Sequence, residues 1–237
     1  FNVIQNTIVI AVLKLTFTLI PPVILAVLLN EVRSLFFKKT AQTVSYLPHF
    51  ISWAVAGGLI YNFLNPSSGL VNDLLVSLNL IEQPIDFIST SKYFYPLVVL
   101  SHIWKDIGWS SIIYLAVIAS IDPNLYEAMD IDGGGRLAKI QYITIPYLKG
   151  TFMILFILAC GKIMSGAGDT FEQAYIFGNA ANRDRSDILD TFILRTGLQH
   201  MRYSFATAVN FFKSCINLLL LITANKVSKA LTEKSLF

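Results

Sequence analysis

Residues 7–29 read TIVIAVLKLTFTLIPPVILAVLL, and Lys14 is the single charge among them. A helix needs roughly 20 largely apolar residues to cross the hydrocarbon core of a bilayer. The stretch therefore reads as a membrane span, kinked or locally unwound near Pro21 and Pro22, where proline removes a helix hydrogen bond. Four further stretches of this kind follow. Residues 44–64 carry no charge; residues 94–119 hold Lys105 and Asp106 near their centre; residues 147–168 hold Lys162 and end in the small-residue run SGAG; residues 203–225 hold Lys213, Asn210 and Asn217.

The composition agrees. Of 237 residues 54% are hydrophobic and only 14% charged, with mean hydropathy +0.60, against about 25% charged in soluble domains. Five spans exclude a single-pass anchor, a lipid-tailed soluble enzyme and a large extramembrane catalytic domain. The apolar runs are also too long for tilted barrel strands. The expected fold is an all-α polytopic helical bundle with five visible spans. The chain opens FNVIQNTIVIAVL, without initiator Met or a basic leader, so a sixth span is expected ahead of residue 1.

A net charge of +3 gives no case for nucleic acid. Its distribution carries more information. The connections at 30–43 and 120–149 and the tail from 226 hold Arg33, Lys38, Lys39, Arg136, Lys139, Lys149, Lys226, Lys229 and Lys234, against Lys92, Arg183, Arg185, Arg195 and Arg202 on the other side. Nine basic residues against five favour a cytoplasmic position for the first set. On that other side, residues 65–93 begin with a turn at Asn65, Pro66 and Gly69 and continue as an amphipathic stretch that predicts a short interfacial helix. Residues 169–202 form the most polar region and include the turn-prone GNAANRDRS.

Between the third and fourth spans lies IDPNLYEAMDIDGGGRLAKIQYITIPYLKG, residues 121–150. Asp122 followed by Pro123 starts a short helix, with Leu125, Ala128 and Met129 on one apolar face and Glu127 and Asp130 elsewhere. Gly133, Gly134 and Gly135 end it and permit positive φ. RLAKIQYI resumes as helix, and Pro146 opens the next span. Such an element suits docking of something that pushes on the two spans, or an ordinary interfacial turn; its acidic side chains favour a protein partner over anionic lipid.

The run EAMDIDGGGRLAKIQYITIP resembles the EAA signature of permease subunits in binding-protein-dependent ABC importers. Its glutamate and alanine fall on Glu127 and Ala128, its central glycine on Gly133, and its hydrophobic-x-hydrophobic-proline end on Ile143, Ile145 and Pro146. Met129 stands where alanine is usual and Ile145 where leucine is common, both apolar replacements. YLPHFISW, HIWKDIGWSSIIYLA and IDPNLYEAMDIDG resemble the sugar-permease branch, and within it the importers of polygalacturonate-type and other complex oligosaccharides. The resemblance covers essentially the whole chain, whose members usually have six spans.

It implies one transmembrane domain over 1–237, with a coupling loop at about 120–146, in the bacterial cytoplasmic (inner) membrane. Glu127, Ala128, Met129, Asp132, Gly133 and Pro146 would couple the chain to a cytoplasmic ATPase. The implied partners are a second homologous permease, two ATPase subunits, an extracytoplasmic solute-binding protein, an oligosaccharide, acidic or neutral, and membrane lipid. No cofactor belongs to this chain: ATP and Mg would sit on the ATPase subunits, and the chain has no GxxxxGK[ST] phosphate loop.

Ionisable residues within spans are candidates for the translocation path because their desolvation is costly. Trp104, Lys105, Asp106 and Trp109 could stack on and hydrogen-bond a sugar; Lys162, Asn210, Lys213 and Asn217 are similar candidates. Subunit-interface bonding and snorkelling are the competing readings. His49, His102 and His200 are too far apart in sequence for a metal motif and read as hydrogen-bonding residues. Cys160 and Cys215 read as packing residues. No catalytic constellation is visible. The alternatives are an ion-coupled secondary transporter subunit, which should show internal repeats, an intramembrane enzyme, and a structural or assembly subunit.

Overall fold

The computed structural model describes residues 2–165 and 169–232, and the fold is helical throughout them. Gly166, Ala167 and Gly168 of the predicted SGAG run, and Lys234 of the tail, lie outside the described residues. The first span is a pair of helices, α1 (Asn2–Thr18) and α2 (Ile20–Glu31), which together pass as one long apolar stretch. The predicted interruption falls where expected, with Pro21 and Pro22 in the first turn of α2.

The second span differs from expectation. Helix α3 begins at Leu35 and ends at Tyr46, a 3-10 turn occupies Leu47–Phe50, and α4 covers Trp53–Leu64, the two halves bent by 105°. Pro48 opens the 3-10 turn, and the Ser52 hydroxyl accepts from Val55 N at 3.3 Å to start α4 afresh. Both signals interrupt the apolar run, so residues 44–64 are not one straight helix. α5 (Leu70–Ser77) is the predicted short helix of the next connection. Asn72 pins it, donating to Leu64 O, Asn65 O and Ile85 O and accepting from Ile85 N at 2.8 Å.

The long α6 (Ser91–Ala119) leads into α7 (Pro123–Ile131) at a 68° bend. Beyond it, α8 (Arg136–Lys139) and a π-helical turn at Ile140–Thr144 feed α9 (Ile145–Cys160). The predicted fourth span at 147–168 is thus displaced: the continuous apolar helix is Arg136–Cys160, and Lys162 lies in a turn after its end. The polar region 169–202 folds into α10 (Thr170–Phe177), α11 (Arg183–Ser186), α12 (Leu189–Leu194) and a π turn at Arg195–Gln199. Helix α13 (Tyr203–Thr232) closes the bundle. By length and composition three helices can cross a membrane, or five if each bent pair is one span.

Two apolar cores hold these helices. One gathers Ile10, Trp53, Ala56, Phe94, Leu97, Val98, Ala174 and Phe177 around the start of α6. The other gathers Ala26, Tyr114, Ile118 and Leu148 around its end. The middle of α6 is polar, with Ser101, Lys105 and Ser111 buried there. Burial of polar groups in an apolar bundle requires partners, and those partners define the candidate site.

Candidate permease site and coupling helix

A cavity of about 320 Å³ opens between α1, α2, α6 and α9, lined by Thr18, His102, Asp106, Ser110 and Lys162 among apolar side chains. Asp106 is fixed on its wall. Its Oδ1 lies 2.9 Å from His49 Nδ1 and its Oδ2 accepts from the Ser110 hydroxyl at 2.5 Å. His49 comes from the 3-10 turn that breaks the second span, so the break delivers the imidazole to α6. Its ring stacks on Trp109 at 4.5 Å with 3° between planes, and Phe50 meets Trp109 edge-on at 5.6 Å.

Lys105 points the other way. It donates to the His49 carbonyl at 2.9 Å and sits 5.4 Å from the Trp53 ring centroid, a cation–π contact. Trp53 Nε1 donates to Asp169 at 2.7 Å. Behind this chain lies Lys14, 1% exposed, whose ammonium makes no hydrogen bond among the described residues and feels the carboxylates of Asp169, Glu172 and Asp106. Buried His102 Nδ1 and Gln173 Oε1 likewise find no partner among those residues.

The predicted path residues therefore separate. Asp106 and Lys162 line the cavity; Lys105 and Trp109 support it from behind. Trp104 instead faces an apolar groove with Leu59, Phe63 and Leu100. Lys213 pairs with Asp190. Asn217 bridges Met164 N and the Ser165 hydroxyl, both at 2.9 Å. Asn210 is exposed on α13. In sequence His49 and His102 read as hydrogen-bonding residues and Lys14 as an interruption of its span. The break after Pro48 and the lone charge in the first span were the signals available for them.

On the α7 side the sequence expectations meet a defined shape. Asp122 caps α7 by accepting from Asn124 N at 2.9 Å. Gly133 takes φ +78°, in the left-handed region that favours glycine. Glu127, Ala128 and Asp132 are exposed, and Pro146 is exposed at the start of α9. Met129 is half-buried against Gly134, and Leu125 and Ile131, the latter 87% exposed, are large apolar side chains open on α7. Asp130 and Lys139 pair at 2.6 Å, and the Tyr126 and Thr144 hydroxyls meet at 3.0 Å, fixing α7 to α8 and the π turn.

The whole chain is 39% identical to the polygalacturonan/rhamnogalacturonan transport system permease protein YteP of Bacillus subtilis, spanning 72% of that protein, and 38% identical to protein LplB of the same organism, spanning 73%. The chain belongs to the ABC-importer permease subunits of the sugar and oligosaccharide branch. It also superposes, with TM-score 0.93 and 36% identity over 99% of its length and 80% of the other, on a chain of a bacterial alginate ABC transporter solved with an alginate pentasaccharide-bound periplasmic protein. No protein-family profile matches it. This permease is a multi-pass inner-membrane protein and a transport subunit rather than an enzyme. Among the described residues no group of three or more His, Cys, Asp or Glu could hold a metal ion.

Proposed function

We propose that the chain, as one transmembrane domain over 1–237 with its coupling loop at about 120–146, forms half of the pathway for ATP-driven import of an acidic oligosaccharide. A second homologous permease supplies the other half. Two cytoplasmic ATPase subunits bind and hydrolyse ATP with Mg, and a solute-binding protein delivers the sugar from outside. The acidic character rests on two of the similar proteins, one named for polygalacturonan and rhamnogalacturonan and the other for alginate.

The observation that carries the reading is the course of α6. Its middle holds Asp106 and Ser110 on the cavity wall, and it then leads directly to the exposed Leu125, Glu127 and Ile131 of α7. A displacement of α7 by the ATPase pair is transmitted through α6 to the cavity, and through α8 and the π turn to α9, which carries the opposite wall. Glu127 supplies a charged contact to the ATPase, Leu125, Ala128 and Ile131 the apolar one, and Gly133 the bend. In the cavity Asp106, Ser110 and Lys162 face the sugar, while Trp109 and His49 form an aromatic platform behind them. The two states that alternate are then biased by ATP on one side and by the loaded binding protein on the other.

The test is ATP-driven uptake of oligogalacturonate into proteoliposomes holding the full complex, with Glu127→Ala at matched complex abundance. Uptake that needs hydrolysis and collapses in the variant supports the reading. Uptake driven by an ion gradient without ATP overturns it.

A further inference from the structure

The groove that Trp104 faces is unlike the cavity beside Asp106. Helix α4 holds 12 residues, about 18 Å at the helical rise against a hydrocarbon core of roughly 30 Å, and it packs chiefly on α10 and α5 rather than on α6. A gap of about 630 Å³ is left between α4 and α6, with Leu59 and Phe63 on one side and Pro96, Leu100 and Trp104 on the other. That is the size of a ligand pocket. Its polar lining offers a ligand little, because the Ser101 hydroxyl already donates to Val98 O at 3.2 Å and accepts from Gln173 at 2.8 Å. A sugar there would leave its hydroxyls unpaired, whereas a hydrocarbon chain has none to satisfy.

One end of the gap is charged. Val71, Phe87 and Tyr93 roof it, the two rings meeting edge-on at 5.2 Å, and the exposed Lys92 holds its ammonium 5.7 Å from the Tyr93 ring centroid. Lys92 meets no carboxylate at ion-pair distance among the described residues. Asp86 and Asp184, from the adjoining segments, are engaged by Ser89 N and by the Ser91 hydroxyl. Lys92 is also the second residue of α6, where the helix dipole favours an anion. An unpaired ammonium at the mouth of an apolar groove is complementary to an anionic head joined to hydrocarbon. We propose that the groove is a binding site for an anionic phospholipid: one acyl chain lies between α4 and α6 along Leu59, Leu100 and Trp104, and the phosphate rests on Lys92. The lipid fills the space that the short α4 leaves open.

The test is fluorescence quenching in the full complex reconstituted with lipids brominated on the acyl chain, the Trp104 signal being the difference between wild type and Trp104→Phe. Brominated phosphatidylglycerol should reach half-maximal quenching at a mole fraction roughly fivefold lower than brominated phosphatidylcholine, the preference that one lysine near a membrane surface confers. Lys92→Gln, a change to an exposed side chain, should bring the two lipids level. Phosphatidylglycerol retained by the detergent-purified complex, counted by native mass spectrometry, should fall in the same variant. Equal quenching by the two lipids in wild type marks contact with bulk lipid only and overturns the proposal, as does a preference that survives Lys92→Gln. Trp104 unquenched by either lipid means that a protein helix fills the groove, and that result overturns it as well.

Discussion

Gly108 is where α6 meets α3, and alanine there is the sharpest perturbation the packing offers. A Cβ on Gly108 would lie 2.1 Å from the Ser45 carbonyl oxygen and 2.4 Å from its carbon. Both atoms are backbone, so no rotamer change relieves the overlap, and the carbonyl already accepts its place within a helix whose Ser45 hydroxyl is tied to Ala41 O at 2.6 Å. A carbon and a carbonyl oxygen rest about 3.3 Å apart, so the two helices must separate by about 1.2 Å. Overpacking of this kind costs about 1–3 kcal/mol, at the upper end when backbone must move. Against it stands a gain of about 1 kcal/mol from replacing glycine inside a helix. The net expectation is a loss of about 2 kcal/mol, together with displacement of the adjoining 3-10 turn and therefore of the His49–Asp106 pair. Gly58, inside α4 with nothing within 4 Å of its Cβ position, is the matched control; alanine there should be neutral or stabilising. The assay is thermal denaturation of the purified complex, with ATP-driven uptake beside it. Gly108→Ala should lower the apparent Tm and the uptake, Gly58→Ala neither. Equal behaviour of the two variants would refute the close-approach argument.

Four further outcomes follow from the geometry. Gly133→Ala should cost about 1–2 kcal/mol although nothing crowds its Cβ position, because φ is +78°; the loss should appear in uptake more than in complex abundance. Ile131→Asp removes an exposed apolar side chain whose burial would contribute about 1.5–3 kcal/mol, so ATPase association measured by co-purification should weaken by roughly 10- to 100-fold. Lys213→Met should destabilise by about 3 kcal/mol by stranding Asp190, whereas Lys213→Met/Asp190→Leu should be closer to wild type in thermal denaturation. Hydrogen bonds from Ser89 N and then, more weakly, Ile88 N hold the Asp86 carboxyl below its ordinary value near 3.8. A depressed folded-state value contributes stability above the ordinary value that is lost as pH falls through the depressed one, so protection of the 86–89 amides from hydrogen exchange, taken relative to the intrinsic rate at each pH, should fall below about pH 4 in wild type and change little in Asp86→Asn.

What the sequence showed and what it hid divide along physical lines. The all-helical, multi-span class and the α7 bend were legible because each rests on local signals: apolar runs of sufficient length, the Asp122–Pro123 start, and a glycine triplet that yields one positive φ at Gly133. The 105° break between Phe50 and Trp53 is hidden in the sequence although Pro48 and Ser52 announce it, because hydropathy across 44–64 is unbroken and masks the punctuation. The end of α9 was placed eight residues late for the same reason. The site was legible in part. Composition marks Lys105 and Asp106 as unusual, but neighbouring positions on a helix point about 100° apart, and only the fold shows Asp106 on the cavity wall and Lys105 turned onto His49. Lys213 looked equivalent to Lys162 in sequence; a carboxylate 23 residues away, Asp190, makes it a structural pair instead.

The placement of polar residues along α6 also explains why this helix can serve both ends of the molecule. A helix buried on apolar side chains along its whole length would transmit motion but could not line a polar path, and a polar helix would not stay in the bundle. α6 alternates in blocks: Phe94, Leu97 and Val98 anchor its start, Tyr114 and Ile118 anchor its end, and between them Ser101, Lys105 and Asp106 meet partners from α10, the 3-10 turn and α4. The two anchored blocks make it a rigid lever, and the polar block makes its middle sensitive to where those partners stand. On the proposed coupling role of α7, a change of its angle would alter the setting of Asp106 without unfolding either core, which is the mechanical condition a coupled pathway has to meet.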